Sequence, residues 1–305
     1  MSQVQNTFIV DNDFVGVRLD KMISSLYVDI SMSLAQKLIR TGQIRVNSKR
    51  SKFNTILQDN DSIRVPPYIV NKLNSKSGAY KSNVSHKLID NLKNSIIYKD
   101  KDCLIINKPA NINTQGGFNV INHIDACLPY LKFELEQSPM LVHRLDKETS
   151  GVLVLARNRR FARYFFALLK ERNVYKKYHC IIQNNHSINK HGKIDAPLTK
   201  SIMNHEIRVK VDYKFGKEAI SYYKVLGSNK QYTLLEFKLI TGRSHQIRVH
   251  ASHILNSPIV GDVKYGGLAS NRLYLHAKEI KFKSMNNKII HVFADYRDEW
   301  NIKVI

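Results

Sequence analysis

The sequence predicts an α+β protein, with a small N-terminal module and a larger domain built on a mixed, largely antiparallel sheet with flanking helices. Its 305 residues exceed what one compact core usually needs, so two domains are expected. Helical and strand patterns alternate at the N-terminus, whereas apolar runs typical of strands outnumber helices from residue 96 onward. We therefore predict a module at 1–70, a flexible linker at 71–95 and the larger domain at 96–305.

The predicted N-terminal module consists of two helices and a small sheet. Apolar residues at helical spacing predict a first helix near 17–23 and a second one that ends at Gly42. The expected buried face of the second helix is formed by Leu34, Leu38 and Ile39. Runs rich in β-branched residues at 44–46 and 62–65 predict two short strands, the second of which ends at Pro66.

Positive charge is the main compositional signal. The chain has 48 Lys and Arg against 25 Asp and Glu, which gives a formal net charge of +23 and favours a polyanionic partner. A membrane surface is disfavoured because we find neither a long apolar span nor a basic amphipathic helix. The N-terminal module carries a basic cluster that includes Lys37, Arg40, Arg45, Lys49 and Arg50. Such a cluster is typical of phosphate binding, although a solvated basic face without a partner remains the alternative.

A strand-rich region follows the predicted linker. Asn, Ser and Lys dominate residues 71–95, which is why we predict a flexible connection there. Apolar runs then predict four strands, at 103–106, 152–156, 178–182 and 234–239. A helix is predicted over 159–171 with Asn158 as its N-cap. Its aromatic residues are expected to be core residues.

A polar loop precedes the clearest of these strands. Residues 143–151 read HRLDKETSG, and loops at the edge of a rigid sheet often carry active sites. Asp146 and Glu148 could form the carboxylate pair of a glycosidase, but Arg144 and Lys147 favour an ionised carboxylate, which suits a nucleophile better than a general acid. On local spacing alone, a side-chain turn cap is an equally good interpretation of Asp146.

The loop resembles the signature of the RluA-type pseudouridine synthase family. Four further segments resemble motifs of that family in the same order: 107–109, 174–178, 241–250 and 258–262. The chain departs from the family pattern at 256–257, which read Asn-Ser where Gly-His is common, and at 284–286. The resemblance implies the pseudouridine synthase fold and an isomerase that converts uridine in structured RNA to pseudouridine.

The N-terminal module resembles the S4 RNA-binding domain. The matching segments are 18–20, 42–47 and 61–65. Among pseudouridine synthases, this module implies 23S ribosomal RNA or its large-subunit precursor as the partner. A tRNA or a dual substrate is the alternative within the family, and a non-enzymatic RNA-binding ribosome-assembly factor is the alternative outside it.

The resemblance also implies a role for individual residues. Asp146 is the expected nucleophile, attacking either the base or the sugar C1′ of a uridine that has been flipped out of its RNA. Arg144 is expected to fill the gap that the base leaves. Tyr178 is expected to stack on the uracil and to assist proton removal from C5, and Arg248 to pair with Asp146. Ile247 is expected to form a wall of the pocket.

No cofactor is expected, because the isomerisation conserves every atom of the substrate. His245, His250 and His253 lack the spacing of a zinc site, so no metal is expected either. The three cysteines lack any Cys-x-x-Cys pattern and predict no disulfide framework. The N-terminus lacks a secretory signal, so we expect a cytoplasmic protein, and we expect it to be a monomer.

Overall fold

The structure divides into two compact units, residues 1–81 and 82–305. It is a computed structural model that describes residues 6–11, 14–27, 30, 32–69, 84–116, 121–184, 188–203, 206–296, 300–302 and 304. Within these ranges, no helix is long and apolar enough to cross a membrane.

The described part of the first unit has two helices of eight or nine residues beside a three-stranded antiparallel sheet, and residues 67–69 are also helical. Its elements are β1 Thr7–Ile9, α1 Leu19–Leu26, α2 Met32–Arg40, β2 Arg45–Val46 and β3 Ser62–Arg64. Strand β3 lies between β1 and β2. Both helices bury one face in the same core, where Ile23 and Leu38 pack with Ile63. Leu34 is 41% exposed, contrary to expectation, because Ala35 occupies the buried face in its place.

The linker prediction is wrong for part of its range. Residues 71–83 lie outside the described residues, but His86–Asn94 form a helix, α3. Leu88, Ile89 and Leu92 bury one side of this helix in the second unit. Their helical spacing within an otherwise polar segment is the reason that the segment folds.

The remaining helices and turns of the second unit are short, apart from one. They are α4 Ile124–Cys127, α5 Arg159–Lys170 and α6 Gln246–Val249, with 3-10 turns at Leu128–Leu131 and Val263–Tyr265 and a π-helical turn at His250–Ile254. The side chain of Asn158 caps α5, since its oxygen accepts a hydrogen bond from Phe161 N. Phe161 and Phe165 are buried as expected, whereas Phe166 is 53% exposed.

A ten-stranded mixed sheet organises the second unit. Its strands are β4 Ile96–Lys99, β5 Cys103–Lys108, β6 Met140–Leu141, β7 Ser150–Ala156, β8 Tyr175–Gln183, β9 His191–Asp195, β12 Ile220–Ser228, β13 Tyr232–Leu239, β14 Leu275–Lys283 and β15 Ile289–Phe293. The main order is β4-β5-β7-β14-β8-β13-β12-β9, with β6 paired to β7 and β15 to β14. A separate hairpin consists of β10 Leu198–Met203 and β11 Glu206–Val211. Only β7 and β14 pair in parallel among the described strands, which confirms the predicted α+β class.

The parallel junction between β7 and β14 depends on a glycine. Gly151 has a φ of +109° and lies directly against Ala277 of β14. A methyl group added at this position would approach the carbonyl oxygen of Ala277 to 2.2 Å. Only glycine fits there, and its close approach fixes the end of the polar loop against the middle of the sheet.

Candidate active site

A cavity of about 410 Å³ opens beside the polar loop in the second unit. The loop, the start of β8 and the turn at 242–248 form its walls. It contains all five predicted residues of the catalytic domain, namely Arg144, Asp146, Tyr178, Ile247 and Arg248. The structure therefore brings together side chains that are as much as 104 residues apart, counting from Arg144 to Arg248.

The backbone around Asp146 is anchored on both sides. The Thr114 hydroxyl accepts a hydrogen bond from Leu145 N at 3.2 Å and donates one to Leu145 O at 2.7 Å. The fully buried ammonium of Lys108 donates to Lys147 O at 3.1 Å. These bonds fix the residues directly before and after Asp146. The Asp146 carboxylate makes no hydrogen bond to the described backbone of its loop, which argues against a side-chain turn cap.

Asp146 lies close to a histidine that is held in an unusual conformation. His245 Nε2 is 3.9 Å from Asp146 Oδ2, and the backbone of His245 has a φ of +54°. His245 Nδ1 lies 2.6 Å from the hydroxyl of Tyr265, which also accepts a bond from Val209 N at 3.1 Å. Burial lowers the pKa of His245 against the attraction of Asp146, which favours a neutral imidazole beside the carboxylate.

Tyr178 faces the same cavity and is half-buried. Burial, and after it the negative charge of Asp146, raises the pKa of Tyr178. The phenol is therefore protonated at neutral pH. Its position suits stacking and hydrogen bonding, whereas a phenolate that takes a proton from substrate is disfavoured in the resting site.

The structure does not show the expected ion pair between Arg248 and Asp146. The buried Arg248 guanidinium forms two hydrogen bonds with Asp262, at 2.8 and 2.7 Å, and a weaker contact with Glu148 at 3.4 Å. Burial opposes its charge, but Asp262, and further away Asp146, raise the pKa of Arg248 overall. Asp262 takes the bidentate position because it is fully buried next to Arg248. Asp146 interacts with Arg248 only through longer-range electrostatics.

Cations outnumber carboxylates on the cavity wall. Its described lining includes Arg144, Lys176, Arg243 and Arg248 but only one carboxylate, that of Asp146. The neighbouring His143 is not a further cation, because burial, and then the charge of Lys176, lowers its pKa to about 3. The cavity is thus suited to an anionic ligand. Within the described ranges, no three His, Cys, Asp or Glu side chains converge as a metal ion requires.

The predicted basic cluster of the first unit is only partly gathered in one place. Lys37 and Arg40 line a groove of about 620 Å³, together with Lys52 and the exposed ring of Phe53. Three predicted RNA-binding residues lie outside the lining of this groove: Arg45, Lys49 and Arg50. The groove combines cations with an aromatic surface, as nucleic-acid binding surfaces often do.

Comparison with known families decides the identity of both units. Residues 102–253 match the RNA pseudouridylate synthase model and residues 17–63 match the S4 domain model. The ribosomal large subunit pseudouridine synthase C of Vibrio parahaemolyticus is 34% identical over 304 residues, which cover 95% of this chain and 89% of that protein. This chain belongs to the RNA pseudouridylate synthase family.

Further relatives of this synthase agree in name and fold. The ribosomal large subunit pseudouridine synthase C of Buchnera aphidicola subsp. Baizongia pistaciae is 36% identical over 92% of this chain and 90% of its own length. The solved structure of human RNA Pseudouridylate Synthase Domain Containing 4 has a TM-score of 0.59 at 27% identity, covering 71% of this chain and 92% of that one. The synthase is therefore an RNA-directed isomerase with an S4 RNA-binding domain.

Several residues that shape the synthase site were not assigned a role from the sequence. Lys108 and Asp262 lie in segments that resemble family motifs, but no local pattern indicates what they bind. Thr114 lies outside those motifs, and the only signal for it would be its contact with Leu145. From the sequence, His245 is a candidate only for a metal site, and Lys176 belongs to the same short segment as Tyr178 without a role of its own.

Proposed function

We propose that this synthase converts uridines to pseudouridine in large-subunit ribosomal RNA, with Asp146 as the nucleophile. The main support is the position of Asp146, whose side chain is 21% exposed in a cationic cavity on a loop anchored by Thr114 and Lys108. The choice of RNA is supported by two relatives named ribosomal large subunit pseudouridine synthase C, which align over 95% and 92% of this chain.

The chemistry requires a uridine that has left the RNA stack, since a stacked base cannot reach a cavity of this kind. Asp146 attacks the flipped nucleotide at the base or at C1′, and the bond between N1 and C1′ breaks. The uracil then turns and bonds to C1′ through C5, and the bond to Asp146 breaks to restore the carboxylate. C5 loses a proton and N1 gains one. Tyr178 stacks on the uracil and Ile247 walls the pocket, because both line it.

Arg144 and Arg248 have different parts in this scheme. Arg144 is exposed at the mouth of the loop, where it is placed to occupy the gap in the RNA or to contact a phosphate. Arg248 acts on Asp146 through its charge, because its hydrogen bonds are directed to Asp262. Its positive charge attracts the carboxylate of Asp146 across the cavity wall.

The deciding experiment replaces Asp146 with Ala in a strain that depends on this synthase alone. Pseudouridine in ribosomal RNA and tRNA is mapped by carbodiimide labelling and primer extension. We expect the unmodified chain to produce pseudouridine in 23S RNA and Asp146→Ala to abolish it. Glu148→Gln is the matched control and is expected to retain activity, since Glu148 lies outside the described cavity lining.

Each alternative has its own outcome in this experiment. Persistence of the sites with Asp146→Ala would show that Asp146 is not the nucleophile. Loss of modification in tRNA but not in 23S RNA would favour a tRNA substrate. Release of free uracil would indicate a glycosidase, and an unchanged modification pattern after deletion of the whole chain would indicate a binding factor.

A further inference from the structure

Lys176 and Lys177 are adjacent on β8 but lie in opposite electrostatic environments. Lys177 is 25% exposed and pairs with Glu236 at 3.2 Å and Glu279 at 3.4 Å. Burial lowers the pKa of Lys177, but these two carboxylates and the Tyr175 side chain raise it overall. Lys176 projects to the other face of the strand, into the cavity. There burial lowers the pKa of Lys176 and no carboxylate offsets the effect.

The ammonium of Lys176 has no protein acceptor among the described residues. A methyl group placed on Gly242 would lie 3.4 Å from Lys176 Nζ, so the ammonium reaches from β8 to the turn at 242–248. His143 is beside it, but Nε2 of that ring accepts the bond from Val154 N at 2.9 Å. The other nitrogen of the neutral ring then carries its proton and offers no lone pair.

The side chain of Lys176 is half-buried, and an ammonium partly withdrawn from water with unfilled donors costs free energy that a ligand can offset. Two of the other cavity cations have protein partners: Arg248 pairs with Asp262, and Arg243 donates to the carbonyl of Glu218. The third, Arg144, is exposed to solvent. Lys176 is on the same face of β8 as Tyr178, two residues away, or about 7 Å along a strand. A ligand that touches Tyr178 is thus within reach of Lys176.

We propose that Lys176 binds an anionic oxygen of the flipped uridine nucleotide. This inference rests on the proposed function, since it takes the cavity to be the uridine site. Two oxygens fit the chemistry. When the N1–C1′ bond breaks, its electron pair passes to the uracil and is shared by O2 and O4 until C5 bonds to C1′. The phosphodiester beside the nucleotide carries the same kind of charge throughout.

Lys176 holds this charge by hydrogen bonding and does not transfer its own proton. An ammonium directed at oxygens that become charged during the reaction stabilises the transition state more than the bound substrate. An ammonium directed at the phosphodiester stabilises both equally and contributes to affinity alone. The two sources are therefore separable by kinetics.

The test compares Lys176→Met with the unmodified synthase on an RNA fragment that is a substrate. The dissociation constant and the single-turnover rate constant at saturating RNA are both measured. A rate constant that falls about 100-fold or more with little change in affinity assigns Lys176 to the uracil oxygens. Affinity that falls about 10-fold, with a smaller salt dependence and an unchanged rate constant, assigns it to the phosphodiester. Unchanged rate and affinity would overturn the proposal.

Thermal unfolding separates this role from a structural one. Lys176→Met removes a half-buried charge that has no carboxylate partner among the described residues, so its Tm is expected to equal or exceed that of the unmodified chain. A large drop in Tm would show that Lys176 supports the fold and would overturn the proposal. Lys177→Met is the matched control: it removes the lysine that pairs with Glu236 and Glu279, so it is expected to lower Tm while the single-turnover rate constant is retained.

Two further variants make the outcome independent of local repacking. Lys176→Arg keeps the charge and is expected to recover most of the loss, whereas Lys176→Gln is expected to behave like Lys176→Met. Failure of Lys176→Arg to recover more than Lys176→Gln would count against a charge-based role. If Asp146→Ala is inactive while Lys176→Met is unaffected, this inference alone fails; if Asp146→Ala is active, the proposed function fails first.

Discussion

Arg248 and Asp262 form a buried, bidentate ion pair in the cavity wall, with Nε to Oδ2 at 2.8 Å and an Nη to Oδ1 at 2.7 Å. The Asp262 side chain is fully buried and that of Arg248 is 5% exposed. The Arg248 guanidinium is thus oriented by a carboxylate from a different turn. Breaking such a pair leaves a buried charge uncompensated, which dominates the cost of losing either partner.

Asp262→Ala is expected to lower the free energy of unfolding by about 3–5 kcal/mol and to reduce the single-turnover rate. Urea denaturation and kinetics on a substrate RNA measure the two effects. Glu148→Gln removes the more exposed partner of Arg248, at 3.4 Å, and is expected to cost less than about 1 kcal/mol. Equal costs for both variants would contradict the primary role of Asp262.

Thr114→Val is expected to impair the reaction more than substrate binding. The change removes both hydrogen bonds from the Thr114 side chain to Leu145, which should cost about 1–3 kcal/mol and release the backbone before Asp146. A misplaced nucleophile lowers kcat while KM changes little. Thr114→Ser keeps the hydroxyl and should preserve kcat. If both variants reduced kcat equally, the methyl group and not the hydrogen bonds would be responsible.

Gly151→Ala is expected to prevent stable folding of the second unit. The added methyl group would meet Ala277 O at 2.2 Å, and the φ of +109° already disfavours a side chain. Gly266→Ala is the control within the same unit, because its φ is also positive, at +87°, but the nearest atom would be 3.9 Å away. That variant should cost only about 1–2 kcal/mol of backbone strain. Soluble expression and urea denaturation compare the two.

Acid is expected to destabilise the fold through buried neutral histidines. His276 is fully buried, and burial lowers its pKa to about 3, while the unfolded chain takes up this proton near pH 6.5. The folded state therefore binds fewer protons between these values, and stability falls as pH drops from about 6.5 toward 3, by up to about 1.4 kcal/mol per pH unit. Urea denaturation of His276→Gln should show a shallower pH slope. An identical slope in both chains would exclude His276 as a source.

The groove in the S4 domain is expected to contribute to salt-dependent RNA binding. Replacing Lys37 and Arg40 with Gln removes two cations from its lining. Each lost phosphate contact should flatten the dependence of log affinity on log salt by about 0.7–0.9. Lys288→Gln, at an exposed turn of the second unit, is the control for net charge. If Lys288→Gln reduced the salt dependence of RNA affinity as much as the double change of Lys37 and Arg40, the effect would be one of net charge and not of the groove.

Local sequence patterns predicted the helices and strands that depend on interactions between neighbouring residues. Asn158 caps α5 as expected, and the apolar run at 152–156 forms most of β7. The hairpin of β10 and β11 was not predicted, because its residues do not bury a continuous face: Ile202 is 78% exposed and Ile207 61% exposed. A half-buried strand is recognised by apolar residues at every second position, all of which face the core. This hairpin has no such continuous buried face, so that pattern does not indicate it.

The sequence predicted which residues line the site but not which side chains hold them in place. Arg144 and Asp146 are recognisable because they share one short motif. The partner of Arg248 is 14 residues away at Asp262 and depends on how two turns meet, which residue spacing does not determine. Thr114 is 31 residues from Leu145, and its role follows from a tertiary contact that has no local pattern.

The strand order has a consequence for biosynthesis. β14, at Leu275–Lys283, is inserted between β7 and β8, which are both made more than 90 residues earlier. During translation the S4 domain is able to fold early, since its residues 17–63 are complete long before β14 emerges. The two halves of the central sheet, and the cavity walls that they support, join only when almost the whole chain has been synthesised. A nascent or truncated chain that ends before β14 would thus carry an RNA-binding domain without a working isomerase.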